Sequence, residues 1–218
     1  MLKLEHQTLN DRAYGALKQE LISGGFSPGQ SLVIRKLAET FGISTTPIRE
    51  ALQRLVAERL LEMQNNRSVI VPLLSAPAFE ELTHIRIAVE GLAGEMAATR
   101  MSESGLVEIK ATLAGMQRAI EAGDARGYLA LNEAFHFAIY QHAGAPILLN
   151  MIRDLWGRVG PYLKLLMQAD RYIPQSNDAH RGIVAALEQR DGPAVRVSLE
   201  QDIAVAAAVL SENLRTTA

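Results

Sequence analysis

The second half of this 218-residue chain carries side chains suited to holding a cation. Asn132 and His136 stand four residues apart, so a helix projects both from one face. His180 and Asp202 follow on later segments. Imidazole and carboxyl or amide oxygen, brought together inside a helical bundle, hold a divalent metal. Each histidine taken alone is more often a core or surface residue than a ligand, and His6, His84 and His142 have no supporting pattern. Arg86 is charged within an otherwise apolar stretch (Leu82, Ile85, Val89, Leu92), with Glu90 one turn on. The two form either a surface ion pair worth about 0.3–0.5 kcal/mol or a site where the guanidinium grips a small carboxylate in bidentate fashion. A second group lies near the N-terminus. Thr45, Thr46 and Arg49 crowd the start of STTPIREALQRLV. Short hydroxyls and an arginine at a helix entry can read a DNA major groove, or simply form the solvated face of a capped helix.

These residues need elements to position them. In Ser44 to Val56, Ile48, Leu52, Leu55 and Val56 repeat at helical spacing and predict a buried stripe. Pro47 is acceptable there because the first turn has no intrahelical use for its missing N–H. Before it, Asn10 can cap a helix reaching about Ser23, and a short helix spans about Ile34 to Phe41, ended by Gly42. After it, Leu61 to Gln64 and Val69 to Val71 flank a turn and predict a hairpin. Three helices and such a wing make a winged helix-turn-helix.

From Pro72 onward the pattern is helical, with helices expected at about 77–100, 103–122, 125–142, 146–170, 177–190 and 193–214. The punctuation is Ser102, Gly123-Asp124, Gly144 to Pro146, Pro174 to Asp178, and Asp191 to Pro193. Short connections between such helices predict an antiparallel bundle of six to seven members. On this reading His180 falls in the first turn of its helix and Asp202 in the middle of the last. The fold class is mainly α, with a DNA-binding domain over 1–72 and an all-helical domain over 73–218.

The global properties are consistent with this. Apolar residues make up 48% of the chain, enough for a sizeable core. No run of 18 or more uncharged apolar residues predicts a membrane span, and the first residues lack a secretory signal's apolar region. With no cysteine, disulfides and thiolate metal sites are excluded and a cytoplasmic protein is expected. Residues 1–72 hold nine Lys/Arg and seven Asp/Glu, against 13 and 17 in the remainder. That asymmetry has the sign a DNA-binding N-terminus needs.

The stretch PGQSLVIRKLAETFGISTTPIREALQRLVAERLLEMQNNRSVIV resembles the DNA-binding domain of the GntR family of bacterial transcription regulators. The resemblance rests on Pro28-Gly29, Leu37-Ala38, Gly42-Ile43-Ser44, Thr46 to Leu52 and Arg54-Leu55. Three positions depart from that pattern. Thr45 stands where arginine is frequent, and Arg59 and Ser68 stand at common glycine positions. A threonine cannot bind guanine bidentately as arginine does, so a relative's operator cannot be transferred. The resemblance implies DNA contacts by Arg35, Thr45, Thr46 and Arg49, with Asn66 and Arg67 of the wing entering the minor groove.

The helical remainder resembles the FadR-like subgroup, whose C-terminal (FCD-type) domain binds effectors. This likeness rests on Arg86 and Glu90, Asn132 with Phe135-His136, His180, and Asp191 followed by Asp202. It implies that Asn132, His136, His180 and Asp202 converge as a metal set, where the family typically carries one Asp and three His. Here Asn132 replaces the acid and Asp202 replaces a histidine, so the formal charge of the set is kept. The implied cofactor is a divalent ion, zinc or nickel. The implied partners are operator DNA, a small organic acid or sugar acid held by Arg86, and a second copy of the chain in a homodimer.

The expected function is a sequence-specific DNA-binding regulator, a repressor in most such families, controlled by that effector. A metal-dependent enzyme of small organic acids with an appended DNA-binding module is the alternative. No general base beside a metal-binding histidine and no nucleophile–base spacing supports it. A DNA-bridging protein without an effector is a third reading.

Overall fold

The computed structural model describes residues 8–65, 68–166 and 172–216. Contacts divide the chain into two compact units. One is built on the residues up to Leu73 together with Trp156–Pro161, and the other on Leu74–Leu155 with the residues from Tyr162 onward.

In the first unit α1 spans Leu9–Ile22, α2 Ile34–Phe41 and α3 Thr45–Ala57. The cap of α1 differs from expectation: Thr8, not Asn10, is the N-cap. Its hydroxyl accepts from the Asp11 N–H while the Asp11 carboxylate accepts from the Thr8 N–H, a reciprocal capping box. Asn10 lies inside the helix and its amide donates to Glu50 of α3. Gly42 ends α2 at φ 64°, in the left-handed region where a side chain is costly. Three short strands, β1 (Ser31–Leu32), β2 (Glu62–Gln64) and β3 (Ser68–Ile70), pair antiparallel in the order β1-β3-β2. β1 had no signal in the sequence, because two residues cannot show an alternation. Leu17, Leu21, Ile48, Leu52 and Leu55 form the buried centre of this unit. Arg59, at the common glycine position, does adopt a left-handed φ of 58°.

The second unit holds α4 (Ala76–Arg100), α5 (Glu103–Glu121), α6 (Ala125–His142), α7 (Pro146–Leu166) apart from its Trp156–Pro161 stretch, α8 (Tyr172–Glu188) and α9 (Gly192–Thr216). Among the described residues these six helices are the whole secondary structure of the unit. Three of the punctuation residues act as N-caps, and Ser75 caps α4 in the same way. Ser75, Ser102, Asp124 and Asp191 accept from the N–H groups of Ala78, Gly105, Gly127 and Ala194. α8 departs from expectation by starting five residues early, at Tyr172 rather than 177. Pro174 falls in its first turn, where it breaks no hydrogen bond. His180 consequently sits mid-helix and not in a first turn.

α4 packs most extensively on α9, which also packs on α8; α5 lies against α6 and α8, and α6 against α4. The α4–α9 approach depends on small residues. A Cβ on Gly94 would stand 2.1 Å from Leu199 Cδ1 and 3.0 Å from Val195 Cγ1. Gly94→Leu is expected to cost roughly 1–3 kcal/mol by overpacking, measured as a lower urea midpoint. An unchanged midpoint would mean that the two helices can separate freely at this level.

Candidate metal centre and DNA-reading surface

The polar centre of the helical unit is built from residues four apart. On α6, Tyr128, Asn132, His136 and Tyr140 make a stripe, and all four are buried. On α8, Ser176 and His180 repeat the spacing and are also buried. Asp202 comes from α9 and the Arg86–Glu90 pair from α4. Burying these groups costs least where they meet and hydrogen-bond one another.

Three donor atoms converge. His136 Nε2 lies 3.2 Å from His180 Nε2 and 3.3 Å from Asp202 Oδ2, and His180 Nε2 lies 3.6 Å from Asp202 Oδ1. Ligands bound tetrahedrally at the usual zinc distances stand about 3.3 Å apart. The spacing and the chemistry of the donors therefore fit a zinc-like divalent ion. Among the described residues this is the one group of three His or acidic side chains with ligand atoms so close. Asn132 is buried one turn before His136 on the same helix.

The electrostatics favour the ligating forms. Burial holds His180 down to about 4, against the opposing pull of the Asp202 charge, so its imidazole is neutral at physiological pH. Burial works to raise Asp202, but the neighbouring His180 and His136 and the Ser176 hydroxyl outweigh it and bring it to about 2. A neutral imidazole and an ionised carboxylate are the states that bind metal.

Around the donors lies a second layer. Ser176 Oγ donates to Asp202 Oδ1 at 3.2 Å, and the Tyr128 hydroxyl donates to Ser176 Oγ at 3.3 Å. His136 Nδ1 is 3.1 Å from the Tyr140 oxygen, and the Tyr140 hydroxyl donates to Glu90 Oε2 at 2.6 Å. Glu90 Oε1 accepts from Arg86 Nε at 2.8 Å. Phe135 packs its ring edge-on against both imidazoles, with centroids 5.4 Å and 4.9 Å away. Tyr128, Tyr140 and Ser176 were missed in the sequence. The four-residue spacing from Asn132 and His136 to the two tyrosines, and from Ser176 to His180, was the available signal.

Arg86 and Glu90 are 6% and 0% exposed, so the surface-pair reading of Arg86 does not hold. The apolar neighbours Ile85 and Leu92 are instead partly exposed, at 41% and 42%. The helix turns its charged pair inward, where Tyr140 of α6 offers Glu90 a hydrogen-bond partner. His84 is exposed, and His142 contacts its own helix at the Ala138 carbonyl, so neither belongs to the cluster.

In the first unit, Thr45, Thr46 and Arg49 are exposed on one side of α3 while Pro47, Ile48 and Leu52 are buried on the other. Arg35 of α2 is exposed as well. Arg35, Thr45 and Arg49 line one groove with Val33, Ser68 and Val69. Thr46 is not among the groove residues, and Asn66 and Arg67 lie outside the described residues.

Residues 9–71 match the family described as bacterial regulatory proteins, gntR family, and residues 81–205 match the FCD domain. The chain is 32% identical over 209 residues to the HTH-type transcriptional regulator McbR of Escherichia coli (strain K12), covering 93% of this chain and 95% of that protein. It is 28% identical over 205 residues to the probable D-xylose utilization operon transcriptional repressor of Paenarthrobacter nicotinovorans, covering 93% and 88%. The solved structure of E. coli McbR/YncC superposes with a TM-score of 0.88 at 31% identity, over 94% of this chain and 98% of that one. These relatives are transcription regulators, not enzymes, which sets aside the enzymatic alternative.

Proposed function

The chain belongs to the GntR family of bacterial transcription regulators and carries an FCD domain, and from that premise we propose that it is a cytoplasmic repressor whose operator affinity is set by a small organic acid or sugar acid. The DNA-binding domain comprises residues 1–72 and the effector domain 73–218. The observation that carries this reading is the buried convergence of His136, His180 and Asp202 in an FCD domain, beside a buried arginine.

His136, His180 and Asp202 would hold the ion, zinc or nickel, with Asn132 as a neutral fourth ligand. Its chemistry here is Lewis-acid attraction for an anionic ligand. One carboxylate and two neutral imidazoles leave such a site with a net positive charge. Arg86 adds a second cation nearby, partly offset by Glu90, which suits a carboxylate effector. Effector binding then favours one arrangement of the DNA-binding domains over another, and operator affinity changes by that difference. The working form is a homodimer with two recognition helices about one DNA turn (~34–36 Å) apart.

Arg35, Thr45, Thr46 and Arg49, with Asn66 and Arg67 of the wing, form the DNA-reading set. Arg49→Ala is expected to weaken operator binding by roughly 10- to 100-fold, about 1–3 kcal/mol. The operator is first found by selection from random duplexes, and affinities are then compared by fluorescence anisotropy at fixed salt. Wild-type affinity in the variant would remove Arg49 from the reading set.

A further inference from the structure

We propose that Tyr140 is a positioning residue for the metal set: held by Glu90, it fixes the His136 imidazole with a proton on Nδ1 and so directs Nε2 at His180 and Asp202. The consequence for metal rests on the function proposed above, whereas the proton's place rests on hydrogen-bond geometry alone.

A phenol has one hydrogen to give. Tyr140 is buried and its hydroxyl keeps its hydrogen at neutral pH, as a phenol does. Its hydrogen goes to Glu90 Oε2 at 2.6 Å, a charge-assisted length. Glu90 is committed as an acceptor because its other oxygen faces Arg86 Nε at 2.8 Å. Toward His136 Nδ1, 3.1 Å away, the Tyr140 oxygen can then only accept. Nδ1 must carry a hydrogen, and Nε2 is the nitrogen presented to His180 and Asp202. Partners that set the tautomer of a metal-binding histidine in this way are worth about 10- to 100-fold in metal affinity. Asp202 is oriented in parallel by Ser176 and Tyr128. Among the described residues His180 Nδ1 has no hydrogen-bond partner, so His136 is the imidazole whose orientation is controlled.

Tyr140→Phe removes the hydroxyl and keeps the ring, leaving the Arg86–Glu90 pair in place. Two readouts on the full chain test the proposal: ring-nitrogen NMR of the histidines, assigned with a His136→Gln variant, and zinc titration by calorimetry. In the wild type, His136 Nδ1 is expected to be protonated with and without zinc. In Tyr140→Phe that resonance should move, and zinc affinity should fall by about 10- to 100-fold with far-ultraviolet circular dichroism unchanged. A bare Nδ1 in the wild type overturns the proposal, as do His136 resonances or a zinc affinity insensitive to the substitution. If the wild type takes no zinc, the metal reading fails and the ring spectra alone decide the role of Tyr140. If Tyr140→Phe does not fold, the wild-type spectrum decides it.

Discussion

Glu90→Leu is expected to destabilise the helical unit by about 3–5 kcal/mol, a large share of the ~5–15 kcal/mol that holds a typical domain together. Arg86 and Glu90 are both buried and joined at 2.8 Å. Removing the carboxylate takes from the buried guanidinium its 2.8 Å ion-pair partner and from the Tyr140 hydroxyl its 2.6 Å acceptor. The cost is that of breaking a desolvated pair on one side, not the net worth of the pair. Replacing both members therefore has a different outcome. Arg86→Met combined with Glu90→Leu should recover most of the loss, because two desolvated ions exchanged for apolar groups of similar volume are often neutral or stabilising. Urea denaturation of the two single variants and the double variant measures the coupling. A Glu90→Leu loss below about 1 kcal/mol would show that water reaches Arg86 and that the pair is not desolvated.

Zinc is expected to raise the melting temperature of the wild type, and His180→Ala or Asp202→Ala to abolish that rise. A ligand that binds only the folded state adds about 2.7 kcal/mol at a hundredfold excess over its Kd and about 4.1 kcal/mol at a thousandfold. His180 is fully buried and 3.2 Å from His136 Nε2, so its loss removes a donor that water cannot easily replace. His84→Ala, at an exposed position on α4, should leave the zinc response intact. The measurement is a thermal melt monitored by circular dichroism with and without zinc, on freshly chelated protein. No rise in the wild type would remove the metal assignment. A rise that survives His180→Ala would mean that zinc binds elsewhere.

Much of the DNA-reading unit was legible in the chain. α2 fell on Ile34–Phe41 as expected, and α3 began within one residue of its expected start. Their signals are local: an apolar stripe at helical period, a glycine that can take φ 64°, and a proline allowed only in a first turn. The caps of α4, α5, α6 and α9 were equally local, since a Ser or Asp side chain reaches only N–H groups three residues on. The strand β1 and the early start of α8 were not legible. The first gains its identity from β3, some forty residues away, and the second from a proline whose meaning depends on where the helix begins.

The candidate metal centre divides in the same way. The order of residues specifies which groups are available: two imidazoles, one carboxylate and one amide in a helical domain, and an Arg–Glu pair at i,i+4. It could not decide which side of α4 is interior. Ile85 and Leu92 argued for an apolar core face, yet the structure turns them partly outward and buries Arg86 and Glu90. Helical periodicity reports only how residues on one helix are grouped. Whether a charged group can be buried depends on partners supplied by other helices, here Tyr140 from α6, and only tertiary packing places a hydroxyl 2.6 Å from a buried carboxylate.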